Sequence, residues 1–330
     1  MRIPTPRGPL SAAVADALRT PADFPAWEGP VPAPDRAIGD DDLQLTLWML
    51  YEQSYRGFDD ACDHEWDPGA IALRGRLEAP FEAAVRELCA PVVASTLATA
   101  DDLVDQVARV IDAYDGPDLA RFLHREADRE QVLDFLAVRS LYHLKESDPH
   151  AFVLPRIAGG AKVALAELQY DEFGAGRPAQ LHQSLYADAL DAAGLDSTYG
   201  AYVDRVPATT LAVNNLMSLF GLHRRLRGAA LGHLAAFEST SSVPCRRIAA
   251  GIERVGLPER TAAYFHEHVE ADSAHEQVAV RDICGVFLAQ EPGQLPEVLL
   301  GVAACVLLDA PAAEDLLESW ATPATVVMAS

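Results

Sequence analysis

The sequence predicts an all-α fold, and three observations support this prediction. From Asp40 onward, apolar residues recur at the three- and four-residue spacing of helices through nearly the whole chain. The alternation of apolar and polar residues that is typical of strands is nearly absent. Short breaks that contain proline or glycine separate the helical stretches, at residues 67–68, 115–117, 148–149 and 206–207.

The elements follow from the N-terminus. Residues 1–36 contain eight prolines and therefore cannot form a long helix. We predict an N-terminal arm over residues 1–36 that lies on the body, with one short helix near residues 10–18, and a single helical domain over residues 37–330. The predicted helices of this domain are 40–55, 69–89, 91–99, 101–115, 117–125, 128–146, 150–173, 178–193, 196–203, 207–237, 243–254, 257–289, 294–307 and 311–320. Gly228 and Gly232, four residues apart, predict a close helix crossing.

Composition limits the class of protein. Half of the 330 residues are hydrophobic and 23% are charged, which is typical of a globular protein with a large core. The net charge of −23 argues against nucleic acid and against an anionic membrane surface as partners, because both would repel the chain. No charge-free apolar run reaches the length of about 18 residues that a transmembrane helix needs. Five cysteines without CxxC spacing, and no secretory leader, predict a cytoplasmic protein.

The most informative stretch of the chain is residues 264–276. His268, Asp272 and His275 are separated by four and three residues, so a helix places all three on one stripe, with the two histidines about 20° apart. Apolar residues continue this stripe on both sides. Ionisable groups on a buried face are costly unless they are paired or bind a metal. The stripe therefore predicts a metal site, and its alternative is a buried cluster of hydrogen-bonded side chains.

Two further segments supply groups that the stripe lacks. Residues 167–182 contain two candidate ligands, Glu172 and His182, on either side of a glycine-rich break. Asp171 is an alternative ligand to Glu172. Residues 142–146 place Glu146 at the end of a helix. Glu146 and Glu172 have a second interpretation as solvated surface acids. Mixed oxygen and nitrogen ligation without a thiolate favours Fe(II) or Mn(II), and helix bundles build such sites from facing helices.

The combined motifs resemble the haem-oxygenase-like diiron oxidases, also called iron-containing redox enzymes. The similarity rests on HxxxDxxH at 268–275, on Asp-Glu-aromatic-Gly at 171–174 followed by His182, on Leu-Lys-Glu-x-Asp-Pro-His at 144–150 and on Tyr-Arg-Gly-Phe at 55–58. It covers roughly residues 40–320 and implies a haem-oxygenase-like bundle of about seven core helices with extra N-terminal helices. It also implies O₂ as a co-substrate and two Fe(II) ions bound by the catalytic residues Glu146, Glu172, His182, His268, Asp272 and His275.

One position departs from the family pattern. Members usually carry a glutamate one helical turn before the second-helix histidine, where this chain has Ala179. Glu172 precedes that position by seven residues and would face the same way on a helix. An N-oxygenating branch of the family is similar in having a carboxylate at the position of Glu172.

Three functions follow from the resemblance. The first is N-oxygenation of a small amine or amino acid in natural-product metabolism. The second is desaturation or carbon–carbon fragmentation of a fatty acid or amino acid. The third, which Ala179 keeps open, is a noncatalytic bundle that binds a small molecule. The expected partner is a small-molecule substrate, and the sequence leaves open an external electron donor and assembly as a homodimer. Core-facing apolar residues around Phe173, Tyr186 and Tyr264 are expected to shield the site from water.

Overall fold

The computed structural model describes the backbone of residues 1–321 and the side chains of those residues except 270–274. Within these residues every regular element is a helix, which confirms the all-α prediction. The α-helices are α1 (Pro9–Leu18), α2 (Pro34–Ala37), α3 (Asp41–Glu52), α4 (Pro68–Leu97), α5 (Leu103–Ile111), α6 (Leu119–Arg125), α7 (Arg129–His143), α8 (Asp148–Ala151), α9 (Gly159–Glu172), α10 (His182–Ala193), α11 (Ala208–Leu222), α12 (Arg227–Thr240), α13 (Ser242–Arg254), α14 (Glu259–Gln277), α15 (Val286–Gln290) and α16 (Leu295–Ala321).

Several predicted helix boundaries are wrong, and the structure shows a local reason for three of the differences. The single helix α4 replaces 69–89 and 91–99. Pro91 has no N–H to donate to the Glu87 carbonyl, but both residues are exposed, so water can reach that carbonyl. Residues 196–203 form turns, since Asp196 accepts a hydrogen bond from the Thr198 N–H and Gly200 adopts a positive φ. The predicted helix 207–237 breaks at His223, whose backbone is extended and whose Nε2 lies 2.8 Å from Glu78 Oε2. The helix α16 replaces 294–307 and 311–320.

The N-terminal arm contacts the body along its length. Its helix α1 matches the predicted helix near residues 10–18. Leu10, Val14 and Leu18 from α1 and Phe24 beyond it are all buried in the common core. The division of the chain at residue 36 stays a prediction.

The centre of the bundle is the crossing of α12 and α16. A Cβ atom added at Gly232 would lie 1.9 Å from the Val298 carbonyl oxygen, and one added at Gly301 would lie 1.9 Å from the Ala229 carbonyl oxygen. Glycine at both positions therefore lets the two backbones touch. This contact gives a physical reason for the Gly228/Gly232 spacing. It also fixes the position of α12 in the bundle.

Helix α16 is also long and apolar enough to cross a membrane, the one such helix among residues 1–321. In its most apolar 18-residue window, 56% of the residues are buried within the protein. The helix packs on α4, α11 and α12. This burial is that of a core helix.

We expect the Gly232→Ala substitution to destabilise the protein, because the added methyl group would push α12 away from α16. The loss should be about 1–3 kcal/mol of the free energy of unfolding, the usual cost of overpacking a core. Gly75→Ala is the matched control, since Gly75 is an exposed helical residue with nothing within 4 Å of the added Cβ. The control should instead gain about 0.5–1 kcal/mol. Urea unfolding followed by circular dichroism measures both, and equal stabilities would contradict this account of the crossing.

Candidate metal centre

Buried carboxylates and imidazoles meet in the middle of the bundle in two overlapping groups. Ligand atoms of Glu146, Glu172, His182 and His268 all lie within 4.8 Å of one another. A second group, on the same criterion, consists of Glu172, Glu238 and His275. All six side chains are buried, and Glu172 belongs to both groups.

A strained turn delivers Glu146. Helix α7 ends at His143, and Ser147 adopts a left-handed backbone conformation with φ of 66°, which is unfavourable for a residue other than glycine. The turn is anchored by the buried ion pair between Lys145 Nζ and Glu52 Oε1, at 2.6 Å. It also lets Ser147 Oγ donate a hydrogen bond of 3.0 Å to Glu172 Oε2. The strain at Ser147 is thus offset by contacts that place Glu146 and Glu172 side by side.

Glu172 and His182 stand on either side of a loop. Glu172 is the last residue of α9 and His182 is the first residue of α10. Gly174 has a φ of +80°, and a Cβ atom there would lie 2.5 Å from both the Arg177 oxygen and the Leu181 nitrogen. Only glycine fits this turn. The prediction that Glu172 and position 179 face the same way on one helix is therefore wrong. Ala179 is exposed on a short 3₁₀ turn, and the loop brings Glu172 next to His182.

Helix α14 supplies two imidazoles. His268 Nδ1 donates to the Tyr264 carbonyl oxygen at 2.9 Å, which leaves Nε2 facing Glu146 Oε1 at 3.3 Å. His275 Nδ1 lies 3.7 Å from Glu172 Oε1 and 3.6 Å from Glu238 Oε2. The side chain of Asp272, the third member of the predicted stripe, lies outside the described residues. A π-helical segment, Val278–Gly285, follows directly after α14.

The imidazole nitrogens show that the residues fit a metal ion. His182 Nδ1, His268 Nε2 and His275 Nδ1 are buried and have no hydrogen-bond partner among the described residues. Carboxylate oxygens nevertheless lie within 3.1–3.7 Å of each of them. Buried polar atoms are almost always satisfied, and lone pairs that converge with carboxylates are those that a metal ion would satisfy. The oxygen and nitrogen donor set, without thiolate, suits iron.

Electrostatics of the metal-free centre point the same way. Burial alone would lower the pKa of His268, but the neighbouring carboxylate of Glu146 raises it to about 10. Burial likewise opposes the shift at His275, where Glu238 and Glu172 raise the pKa to about 9. Burial would raise the pKa of Glu172, but His182 lowers it to about 2. At neutral pH, in the absence of a metal, Glu172 is therefore a carboxylate and His268 and His275 are imidazolium groups, which hold protons where a cation would bind.

We expect iron binding to release protons, because His268 and His275 must lose their protons before their nitrogens can bind a metal. Affinity for Fe(II) should rise with pH below the raised pKa values, by about tenfold per pH unit for each proton released. Anaerobic Fe(II) titration in weakly buffered solution with a pH-indicator dye measures the number of protons. The His268→Ala variant should release fewer protons than the wild type, and binding without proton release would contradict the assignment.

Sequence reasoning missed Glu238. This residue lies on α12, which is apolar from Gly228 to Phe237 except for His233. The signal available in the sequence was a single carboxylate directly after an apolar helical run, because an acid is rarely buried without a partner. In the structure Glu238 is only 7% exposed. Glu238 supplies a carboxylate from outside the motifs at 144–150, 171–182 and 268–275, and thus offsets the alanine at position 179.

We expect Glu238→Gln to bind less iron per chain, because the amide keeps the size of the side chain but loses the charge that faces His275. The weakening should be about tenfold or more at the group formed by Glu172, Glu238 and His275, since even the partner of a metal ligand contributes that much. Glu87→Gln, at an exposed position of α4, is the control. Iron content after anaerobic loading and desalting measures the effect, and full loading of Glu238→Gln would remove this residue from the ligand set.

Other predicted residues take supporting places. Tyr264 is buried, donates to Glu146 Oε2 at 2.6 Å and lies 2.7 Å from His143 Nδ1. Asp171 is half-exposed and lies 3.5 Å from His275 Nε2, the outer ring nitrogen. Glu172, and not Asp171, therefore lies among the buried groups of the centre. Tyr186 is buried as expected, whereas Phe173 is 38% exposed and does not shield the centre.

A small cavity of about 10 Å³ remains between the ligands. Its wall includes Glu146, Glu172, Glu238 and His268, together with the buried His150. This volume is enough for about one water molecule or ion.

The helical fold and the buried groups that could hold a metal agree with the comparison with known proteins. Residues 133–310, more than half of the chain, match the family described as iron-containing redox enzymes, and the chain belongs to that family. The matched segment contains both groups of ligands. The chain therefore belongs to a family of redox enzymes and has the haem-oxygenase-like all-α fold that the sequence predicts.

One curated relative is a nitrosourea synthase of Streptomyces achromogenes subsp. streptozoticus. It is 26% identical to this chain over 178 residues. The aligned segment covers 53% of this chain but only 38% of the relative, so the chain spans well under half of that protein.

Proposed function

We propose that this protein is an O₂-dependent nonhaem diiron oxygenase that N-oxygenates a small amine or amino acid. One observation carries the proposal: two groups of buried ligand atoms share the single carboxylate Glu172. A shared carboxylate suits a pair of metal ions, because its two oxygens can each face one ion. Glu146, His182 and His268 would hold one Fe(II), and Glu238 and His275 would hold the other. Asp272 remains a proposed ligand from the sequence pattern.

The chain's own residues prepare the centre for redox chemistry. Ferrous iron, when bound, supplies the electrons that activate O₂. The three described carboxylates neutralise its charge, and the hydroxyls of Tyr264 and Ser147 orient Glu146 and Glu172 by donating to them. Burial excludes water, which protects reactive species from side reactions. Tyr264 and His143 form a hydrogen-bonded pair at Glu146 that would hold a proton beside this carboxylate.

The choice of nitrogen as the atom that is oxidised rests on the relative. A nitrosourea contains a nitrogen–oxygen bond, and the nitrosourea synthase shares a quarter of its aligned residues with this chain. An amine also suits the chemistry, since its lone pair is a nucleophile toward an oxidant derived from O₂. Conversion of an amine to a hydroxylamine with O₂ consumes two further electrons and two protons and forms water. An external donor would supply those electrons.

Glu238 makes the noncatalytic alternative less attractive. That alternative depended on the missing carboxylate at Ala179, and Ala179 lies outside the site whereas Glu238 lies within it. We further propose a cytoplasmic enzyme, because the five cysteines are free thiols and free thiols persist in reducing compartments.

We expect His268→Ala to abolish iron-dependent O₂ consumption in the presence of a substrate amine, because the variant loses an imidazole of the first group. His266→Ala is the matched control, since His266 is an exposed residue of the same helix that pairs with Glu253 at 3.0 Å. An oxygen electrode measures consumption after anaerobic Fe(II) loading, and circular dichroism checks that both variants stay helical. Full activity in His268→Ala would exclude the proposed centre.

A further inference from the structure

A second, open cavity lies beside the metal centre. It has a volume of about 440 Å³, which is within the range of small-molecule sites. Its wall combines the polar Arg56, Asp148 and Gln183 with the apolar Phe173, Pro178 and Leu181. We call it the outer cavity.

Sequence neighbours place the outer cavity next to the ligands. Leu181 and Gln183 flank His182, Phe173 follows Glu172, and Asp148 lies two residues after Glu146. The cavity therefore approaches the centre on the side formed by the α9–α10 loop and the turn after α7. A molecule bound there would have one end near the ligands.

Polar contacts in the cavity wall fix a pair of opposite charges. Gln183 is buried, and its Nε2 donates to the Glu146 carbonyl oxygen at 2.9 Å and to Asp148 Oδ1 at 3.0 Å. Arg56 Nη2 donates to Gln183 Oε1 and, at 3.1 Å, to the Leu144 carbonyl oxygen. The guanidinium also lies 5.1 Å from the centre of the Tyr199 ring. Arg56 is thus held in place by its own contacts.

The charged atoms of this pair remain available to a ligand. The side chain of Arg56 is 49% exposed, and its Nη1 makes no hydrogen bond to any described residue. Arg56 Nη2 and Asp148 Oδ2 form an ion pair at 3.8 Å, which is too long for a hydrogen bond, so a ligand with both charges would exchange this long contact for shorter ones. One cation and one anion at the mouth of an otherwise apolar cavity match a molecule that carries both a carboxylate and an ammonium group.

We propose that the outer cavity binds a free α-amino acid, with its carboxylate on Arg56 and its α-ammonium group on Asp148. The apolar wall would take the side chain and direct its far end toward the metal centre. A phosphate fits less well, because Asp148 would repel its second charge. A fatty acid would offer no cation to the Asp148 carboxylate. This inference rests on the proposed function for the identity of the chemistry, but it assigns Arg56 and Asp148 a role in specificity that the ligand set does not imply.

Binding without turnover tests the proposal. Isothermal titration calorimetry on the iron-loaded full chain, kept anaerobic, would use the twenty protein amino acids, agmatine and cadaverine as decarboxylated counterparts of arginine and lysine, and decanoate as a fatty acid. We expect at least one amino acid to bind, and any amine counterpart to bind about tenfold to hundredfold more weakly, the usual effect of losing a charged hydrogen bond. The absence of amino-acid binding, or tighter binding of decanoate, would overturn the proposal.

Variants locate the carboxylate. Arg56→Gln should weaken amino-acid binding by about tenfold to hundredfold and leave amine binding unchanged, whereas Arg56→Lys should recover part of the loss because it restores the charge without the planar fork. Arg177→Gln removes the same charge from an exposed position on the α9–α10 loop and should bind like the wild type. Wild-type affinity in Arg56→Gln would refute the role of Arg56.

Separate measurements distinguish this inference from the proposed function. Iron content and O₂ consumption are determined on the same preparations, with circular dichroism as a check on folding. Arg56→Gln that keeps its iron but loses amino-acid affinity supports the inference. A wild-type protein that binds amino acids through Arg56 but consumes no O₂ would refute the proposed oxygenase and leave the binding site standing.

Discussion

The burial of three carboxylates and three imidazoles in one apolar bundle is the constraint on which the structure depends. Each such group is expensive to remove from water, and mutual pairing repays the cost only when the geometry is good. Here the geometry is poor for hydrogen bonding: three ring nitrogens lie 3.1–3.7 Å from carboxylate oxygens without a well-aligned hydrogen bond. The metal-free centre is held together by charge, with imidazolium groups in the place of a cation. Such a centre stays assembled and yet remains ready to exchange protons for metal.

Backbone irregularities concentrate at this centre. Ser147 is left-handed immediately after Glu146, Gly174 makes a turn that no other residue fits immediately after Phe173, and the π-helical segment Val278–Gly285 begins three residues after His275. Each interrupts a regular helix close to a ligand. Regular helices project side chains at fixed angles, so helices alone cannot aim six groups at one point. Strained turns and π-helical segments supply the missing degrees of freedom, and they persist because the surrounding contacts hold them.

The parts that the sequence predicts are those whose signal is local. His268 and His275 belong to one helix, and their spacing alone places them on one face. Glu172 and His182 come from one short motif, although the structure joins them through a loop and not through the helical register that the spacing suggests. Glu238 could not be paired with His275 in advance, because its contact spans 37 residues and depends on how α12 lies against α14. The position of α12 in the bundle is set by its close contacts with α16, Gly232 with Val298 and Ala229 with Gly301, which are also far apart in sequence.

Gln183 connects the inner centre to the outer cavity. Its amide binds the backbone of Glu146 on one side and the side chains of Asp148 and Arg56 on the other. A substrate bound to Arg56 and Asp148 would therefore be positioned relative to the same turn that positions a metal ligand. The two functions are nevertheless separable, because Gln183 is buried and keeps its bonds to Glu146 and Asp148 when the half-exposed guanidinium is removed. Substitution at position 56 should therefore act on the substrate site while the metal centre retains its anchors, the buried Lys145–Glu52 pair and the hydroxyl of Tyr264.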